Sequence, residues 1–169
     1  MIALRTAADC RACDAALLES LGRYSGHSVR SIVASGGRVY ALIEDGEPMA
    51  QLTLDLVGPI AVENPIPLKI SLPENSGFLN HLHTWPAWRR HGLAQRLIRS
   101  AVHDLQQERV TRVFAYVSAT NISSQNAFLA TGWRRSGLMV TDRISRLLYS
   151  GQELATQGIA LSPRIARPN

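Results

Sequence analysis

Residues 93–105 constrain the fold most, because apolar side chains recur there at the spacing of an amphipathic α-helix. These side chains are Leu93, Leu97, Ile98, Ala101, Val102 and Leu105. An apolar, strand-like segment precedes the helix at 77–85, and another follows it at 110–117. Two strands joined through a helix normally lie parallel in one sheet. We therefore predict a β-α-β unit, with the strand 110–117 buried on both faces.

Further strands and helices surround this unit. Thr6 and Asp9 have the spacing of a capping box, and Gly22 is a typical helix terminator. The predicted elements are a strand at 2–5, a helix from about 7 to 21, a short helix within 23–36, a hairpin at 39–43 and 49–56, a short strand near 68–72, a helix from Asn121 to about 131, a strand at 133–139, and a segment at 143–149 that fits either a strand or a helix. This order predicts the α/β class, as one mixed sheet with helices packed on it.

The length of 169 residues suits one domain covering the whole chain. Residues 57–76 contain four prolines and read mostly as a loop. A connection of this length is either a lid or substrate wall, or a variable surface insert. Residues 151–169 read as a weakly structured C-terminal tail.

Composition narrows the classes of function. No stretch reaches the roughly 20 apolar residues of a membrane span, and the N-terminus lacks a signal-peptide core, so we expect a cytoplasmic protein with no membrane partner. The net charge of +5 comes almost wholly from arginine. These arginines are scattered, which argues against a nucleic-acid partner. Cys10 and Cys13 lie in an apparent helix and read as small buried thiols, so we expect no metal site.

The segment RRHGLA, residues 89–94, lies where the strand 77–85 passes into the long helix. Backbone N–H groups at the start of a helix lack intrahelical acceptors and favour an anion such as phosphate. Gly92 allows an unusual backbone angle, and Arg89 and Arg90 add positive charge. The chain lacks the G-K-[ST] of a nucleotide P-loop and the G-x-G-x-x-G of a dinucleotide site. By itself, RRHGLA predicts only an anion-binding turn.

Two motifs extend this interpretation. Arg89-x-x-Gly92-x-Ala94 resembles the Q/R-x-x-G-x-G/A motif of the GCN5-related N-acetyltransferase (GNAT) superfamily. About thirty residues later, the segment from Asn121 to Trp133 resembles the second family motif, N-x-x-A-x-x-L-Y-x-x-x-G-F. Phe128 stands where many family members carry a tyrosine. The close resemblance spans about 77–133, whereas the first 76 residues match only in the order of elements.

The resemblance implies a GNAT-like fold: a central, mostly antiparallel sheet with a splayed parallel strand pair and flanking helices. It also implies acetyl-CoA, or another acyl-CoA, as co-substrate. Backbone at Leu82 and Thr84 would pair with the pantetheine arm, and Asn121 would contact the same arm or serve only as a helix cap. The remaining residues implied at the CoA site are Arg89 and Arg90, the pyrophosphate-binding residues His91, Gly92, Leu93, Ala94 and Gln95, and the second-motif residues Ser124 and Phe128.

Transfer to an amine requires removal of a proton, since an amine with a pKa near ~10 is mostly protonated at neutral pH. His81 and His83 are the candidate bases, and strand alternation places both side chains on one face. The alternatives are that one is a structural histidine, or that both only shape the acceptor pocket. A backbone N–H near His83 or Thr84 would stabilise the oxyanion.

Phe128 cannot protonate the departing thiolate as the family tyrosine would. Ser124, Tyr116, Tyr149 or a water are the possible substitutes. The sequence therefore predicts an N-acetyltransferase for a small-molecule or amino-acid-like amine acceptor, acting as a monomer or homodimer. The alternatives are a protein or peptide N-acetyltransferase, and a catalytically impaired CoA-binding module.

Overall fold

The β-α-β unit is present in the computed structural model, which describes residues 1–56, 58–62, 68–141 and 147–163. The strands are β1 (Ile2–Leu4), β2 (Arg38–Glu44), β3 (Glu47–Asp55), β4 (Ile60–Val62), β5 (Leu68–Ser71), β6 (Ser76–Thr84), β7 (Arg112–Ala115), β8 (Met139–Thr141), β9 (Leu147–Ser150) and β10 (Ala160–Pro163). The helices are α1 (Ala7–Ala12), α2 (Ala15–Ser25), α3 (Val29–Ala34), α4 (Leu93–Gln106), α5 (Ile122–Leu129) and α6 (Gln152–Thr156). Within these described ranges, no helix has the length and apolar character needed to cross a bilayer.

The main sheet has the strand order β1-β2-β3-β6-β7. Its first four strands pair antiparallel, whereas β6 and β7 pair parallel. Helix α4 covers one face, where its side chains Leu97, Ile98, Ala101 and Leu105 are buried. Helices α1, α2 and α3 cover the other face above β1 and β2. The predicted fold class, a mixed and mostly antiparallel sheet with one parallel pair, is confirmed.

The C-terminal end of α4 and the residues directly after it are tied to the sheet by polar and charged groups. The Tyr40 hydroxyl donates to Asp104 at 3.0 Å, and the Arg38 guanidinium donates to Glu108 at 3.0 Å. Arg5 forms ion pairs with both acidic residues. Isolated surface ion pairs contribute little, but this network joins α4 to β1 and β2. It thereby orients the helix whose first turn contains Gly92 and the residues that follow it.

The single helix predicted from about 7 to 21 is wrong, because the structure has two helices there and the second one continues past Gly22. The capping box is present, since Asp9 accepts from the Thr6 N–H at 2.7 Å. However, the carboxylate of Asp14 accepts from two backbone N–H groups and starts a new helix, α2. Gly22 lies inside α2, which ends only at Gly26 with φ 71°. The terminating glycine is therefore Gly26, while Gly22 allows close packing, because a Cβ there would lie 3.0 Å from the His27 carbonyl oxygen.

Strand β7 also differs from its prediction. Its side chains are half-buried or exposed rather than buried on both faces. In the described part of the chain, β7 pairs only with β6 and forms the edge of the main sheet. An edge strand has a neighbour on one side only, which explains the exposure.

The strand predicted at 133–139 is largely absent, because residues 133–138 form no regular element and β8 begins only at Met139. Trp133 instead packs edge-on against Phe128, with ring centroids 4.7 Å apart. For the ambiguous segment 143–149, the described residues form strand β9, and residues 143–146 lie outside the described residues.

The C-terminal segment also differs from the predicted tail. Residues 152–163 contain α6 and β10, and β10 pairs antiparallel with β5 in a second sheet of order β10-β5-β4. Ile159 is buried with Ile60, Ile70 and Phe78. This cluster joins the second sheet to β6, so residues far apart in sequence form one core. Residues 164–169 lie outside the described residues.

We expect Ile159→Ala to lower the free energy of unfolding by about 2–4 kcal/mol, because it opens a cavity among buried side chains. Tyr149→Ala is the matched control: this side chain is 54% exposed, and its loss should change stability by less than about 0.5 kcal/mol. Urea denaturation measures both variants. Equal, small effects would show that the C-terminal segment is not part of the core.

Candidate active site

Strand β6 contains a β-bulge in the middle of its pairing with β3. The register shifts between Gln51 and Thr53, whose partners are His83 and Asn80. Two residues of β6 therefore face one residue of β3, the pattern of a bulge. His81 lies in the bulge with φ 47°. A non-glycine residue in this left-handed region costs roughly 1–3 kcal/mol, and such residues cluster at functional sites.

The bulge collects polar side chains on one face of the sheet. His81 and His83 share this face, as strand alternation predicts, and Asn80 joins them because of the extra residue. Asn80 donates to the Asp55 carboxylate at 2.9 Å, and Thr53 Oγ1 lies 2.9 Å from His81 Nδ1. The sequence analysis missed Thr53 and Asp55, the two residues of β3 that act on His81. The alternation of polar and apolar residues along β3 was the sequence signal that could have indicated these residues.

His81 has the properties of a neutral base. Partial burial, as the largest cause, holds its pKa below the ordinary 6.5 despite the opposing charge of Asp55; His27 lowers it further. The ring still reaches solvent, so a substrate can approach it. Because Thr53 holds Nδ1, the geometry leaves Nε2 for proton transfer. At neutral pH the imidazole is therefore unprotonated and oriented.

His83 is held differently. Its ring stacks on Tyr24 with centroids 3.6 Å apart, and meets the edge of Trp85 at 4.8 Å. Burial first, and the nearby Arg89 second, lower the pKa of His83. An imidazole between two aromatic rings is suited to shaping a pocket. Of the two predicted bases, the geometry favours His81.

A cleft opens beside the bulge, where β6 and β7 separate. Their parallel pairing ends at Leu79 and Ala115. Beyond this point lies a cavity of about 150 Å³. Its lining comes from β6, from the segment after β7 and from α5: Leu79, Asn80, His81, Leu82, Tyr116, Val117, Ser118, Asn121, Ser124 and Phe128. The structure thus brings His81 together with three residues of the second motif, Asn121, Ser124 and Phe128.

Beyond the bulge, the backbone of β6 has N–H groups that point away from β3, toward the cleft. The Trp85 N–H donates to Met49 of β3 at 3.0 Å. Because successive N–H groups point to opposite edges of a strand, those of Leu82 and Thr84 point away from β3. The Thr84 carbonyl already accepts from Arg89 Nε at 3.2 Å. This contact also fixes the Arg89 side chain against the strand end.

The predicted anion-binding turn follows a short 3-10 turn at Pro86–Trp88. Arg90 and Gly92 both take left-handed φ angles, 66° and 72°, and Gly92 is the N-cap of α4 with no side-chain cap. The first intrahelical bond of α4 joins the Arg96 N–H to the Gly92 carbonyl at 3.0 Å. Across the described ranges, no protein acceptor meets the backbone N–H groups of the first helical turn, those of Leu93, Ala94 and Gln95. Arg89, Arg90 and His91 are exposed around them.

Helix α5 supplies the other wall of the cleft. Asn121 caps it, as predicted, because its side-chain oxygen accepts from the Ser124 N–H at 3.2 Å. Phe128 is buried and turns only carbon toward the cavity. Tyr116 also lines the cleft, from the segment after β7, and burial raises its pKa above the ordinary 10.0. Tyr116, Ser118 and Ser124 therefore supply the hydroxyl groups in this cleft lining, whereas Tyr149 is not among the lining residues.

The arrangement of possible metal ligands is a separate feature of the molecule. In the part of the chain that the structure describes, no three His, Cys, Asp or Glu side chains gather as a metal ion requires. Cys10 is buried and Cys13 half-buried, and both thiols are free.

Similar folds occur among solved acetyltransferases. An aminoglycoside 6'-N-acetyltransferase from Acinetobacter haemolyticus is 19% identical over 77% of this chain and 93% of that one, with a TM-score of 0.56. Another aminoglycoside N-acetyltransferase, in complex with CoA, is 19% identical over 74% and 92%, with a TM-score of 0.52. A third, from an uncultured soil metagenomic sample, is 12% identical over 75% and 84%, with a TM-score of 0.54. No curated protein sequence matches the chain.

The sequence profile of the acetyltransferase (GNAT) family matches residues 13–133. This range contains the bulge, the cleft, the turn at Gly92 and helix α5. The chain therefore belongs to the GNAT family and is an acyl-CoA-dependent N-acyltransferase.

Proposed function

We propose that the chain transfers an acetyl group from acetyl-CoA directly to the amine of a small-molecule or amino-acid-like acceptor. The observation that carries this proposal is the cleft between β6 and β7, with His81 at its lining and the uncapped start of α4 beyond the end of β6. An acyl-pantetheine arm needs such a slot, and a pyrophosphate needs such donors. The neighbouring aminoglycoside acetyltransferases have a similar fold, and aminoglycosides therefore belong in the acceptor panel.

CoA binding would use the residues around these donors. The N–H groups from His91 to Gln95 would hold the pyrophosphate, with Arg89 and Arg90 adding charge. The outward N–H groups of Leu82 and Thr84 would pair with the pantetheine arm, as would Asn121 from the other wall. Ser124 and Phe128 would pack beside it.

The acyl transfer would then proceed in one addition and one elimination. The neutral amine attacks the thioester carbonyl carbon, forming the N–C bond, and His81 Nε2 takes the amine proton directly or through water. The oxyanion would meet a backbone N–H near His83 or Thr84 that the pantetheine arm leaves free. The C–S bond breaks as the carbonyl re-forms, and the leaving thiolate takes a proton from Tyr116. The products are an N-acetyl amine and CoA with a free thiol.

Thiol release from acetyl-CoA tests this function, measured over amino acids, polyamines, aminoglycosides and peptides. Turnover with small amines supports the proposal. Preference for peptides would favour a protein acceptor. Tight acetyl-CoA binding without thiol release for any amine would favour an impaired CoA-binding module, the alternative that Phe128 raises.

Gly92→Val should weaken acetyl-CoA binding at least about 100-fold. A Cβ at Gly92 meets no atom within 4 Å, so the substitution acts through the left-handed φ, where a β-branched residue is strained. The turn must then change shape and its N–H groups diverge. Isothermal titration calorimetry with acetyl-CoA measures the loss.

Gly46→Val is the matched control. Gly46 has φ 83° and equally open space, but lies in the turn between β2 and β3. It should lose similar stability while binding acetyl-CoA normally. Unchanged binding in Gly92→Val would refute the assignment of the pyrophosphate site.

His81→Gln should lower kcat by about 10²–10⁴-fold, the usual contribution of a general base. Because the pKa of His81 is lowered, wild-type kcat should fall with decreasing pH only below 6.5, and His81→Gln should lack this acid limb. His83→Gln should retain the limb. A pH profile of kcat at saturating substrate measures both, and persistence of the limb in His81→Gln would assign the base elsewhere.

Tyr116→Phe should lower kcat about tenfold. The effect is modest for a general acid because a thiolate is already a tolerable leaving group. Tyr149→Phe, outside the cleft, should leave kcat unchanged. Adding Phe128→Tyr to Tyr116→Phe should restore part of the loss, since it returns a hydroxyl to the cavity. Equal kcat for Tyr116→Phe and wild type would leave the proton donor to Ser124 or water.

A further inference from the structure

Gln51 is the one buried polar side chain in the described residues that lacks a partner. Its exposed fraction is 0%. Neither its amide nitrogen nor its amide oxygen has a hydrogen-bond partner. By contrast, Thr53 contacts His81, Ser25 donates to backbone carbonyls, and Ser76 donates to a carbonyl as well. A buried amide without partners is costly, and an apolar side chain of the same length would avoid that cost.

The position of Gln51 connects it to the candidate active site. Gln51 is directly opposite His83 in the β3–β6 register and two residues from Thr53, so all three share one sheet face. Thr53 in turn holds the ring of His81. The rise of a strand places the Cα atoms of Gln51 and Thr53 about 7 Å apart. A ligand lying along this face from His81 therefore reaches Gln51 after a short aliphatic spacer.

The stacked rings of Tyr24 and His83 lie over the same sheet face as Gln51. A cross-strand pair has Cβ atoms about 5 Å apart, so the His83 ring is the direct neighbour of the amide. Tyr24 stacks on that ring from the end of α2, which packs over β3. Tyr24 is 44% exposed. Within the described ranges, no hydrogen bond holds its side chain against His83.

We propose that the Gln51 amide recognises a hydroxyl group of the acceptor, a few carbons from the reacting amine, when Tyr24 moves off His83. This specificity role rests on the proposed amine acetyltransfer. The amide offers both a donor and an acceptor, which a hydroxyl can satisfy together. A site with such groups discriminates against an analogue that leaves them unpaired. The acceptor class is therefore a hydroxylated aliphatic amine.

Two acceptors of equal length test the idea. In 4-amino-1-butanol a hydroxyl ends the four-carbon chain, and in n-pentylamine a methyl group replaces it. We expect wild-type kcat/KM to favour the amino alcohol. In Gln51→Met the ratio of the two kcat/KM values should fall at least about tenfold, through KM for the amino alcohol, while the melting temperature stays equal or rises.

Gln157→Met is the control, because the Gln157 amide is partnered by the Ser136 carbonyl at 3.3 Å, away from the cleft. It should lower the melting temperature and leave the acceptor ratio unchanged. Gln51→Leu repeats the measurement should the Met variant fold poorly. An unchanged ratio in both Gln51 variants overturns the proposal while confirming acetyltransfer.

A binding readout separates the two proposals. The side-chain amide resonances of Gln51, assigned by their loss in Gln51→Met, should shift on titration of the CoA-bound protein with 4-amino-1-butanol and not with n-pentylamine. This shift supports the Gln51 site even where neither amine releases thiol, a result that would defeat only the proposed function. Resonances that do not respond to the amino alcohol overturn the Gln51 proposal.

Discussion

The end of the parallel pairing between β6 and β7, after Leu79 and Ala115, is the constraint on which the candidate site depends. Two adjacent strands that continued in register would satisfy each other's backbone groups and leave no slot. Here the strands separate, and the bulge at His81 turns β6 as it leaves its partner. The exposed backbone groups of β6 then become available to a ligand. Helix α4 begins one turn after the end of the same strand. It is fixed to the sheet by its apolar face and by the contacts of Arg5, Arg38 and Tyr40 with Asp104 and Glu108.

The bulge also gives different surroundings to His81 and His83, which look equivalent in sequence. Thr53 and Asp55 act on His81 through a hydrogen bond and a charge, while partial burial keeps the ring neutral. His83 is packed between Tyr24 and Trp85. The polar face of β3 therefore contains both the residue that contacts the proposed base and the amide that we propose recognises the acceptor. Gln51 extends that face to a buried position where its amide has no hydrogen-bond partner among the described residues.

Local patterns predicted much of this arrangement. The periodicity of residues 93–105 and its flanking strands predicted α4 and the parallel pair, since these signals repeat over many residues. The caps at Thr6 and Asn121 were also correct, because capping is a local contact. Predictions failed where a competing local or long-range contact decided the outcome. Asp14 capped a second helix, and β10 found its partner in β5, about ninety residues earlier.

The sequence by itself determined the fold class, the turn at Gly92 and the absence of a tyrosine at position 128. These features follow from residue spacing, backbone preference and residue chemistry, all of which can be read directly from the sequence. Only the tertiary structure decided which histidine lies against Thr53, where the cleft between β6 and β7 opens, and that Tyr116 and Phe128 both line it. The physical reason is that a bulge, a strand separation and a buried unpaired amide are properties of register between strands. Register is set by the packing of side chains that are distant in sequence.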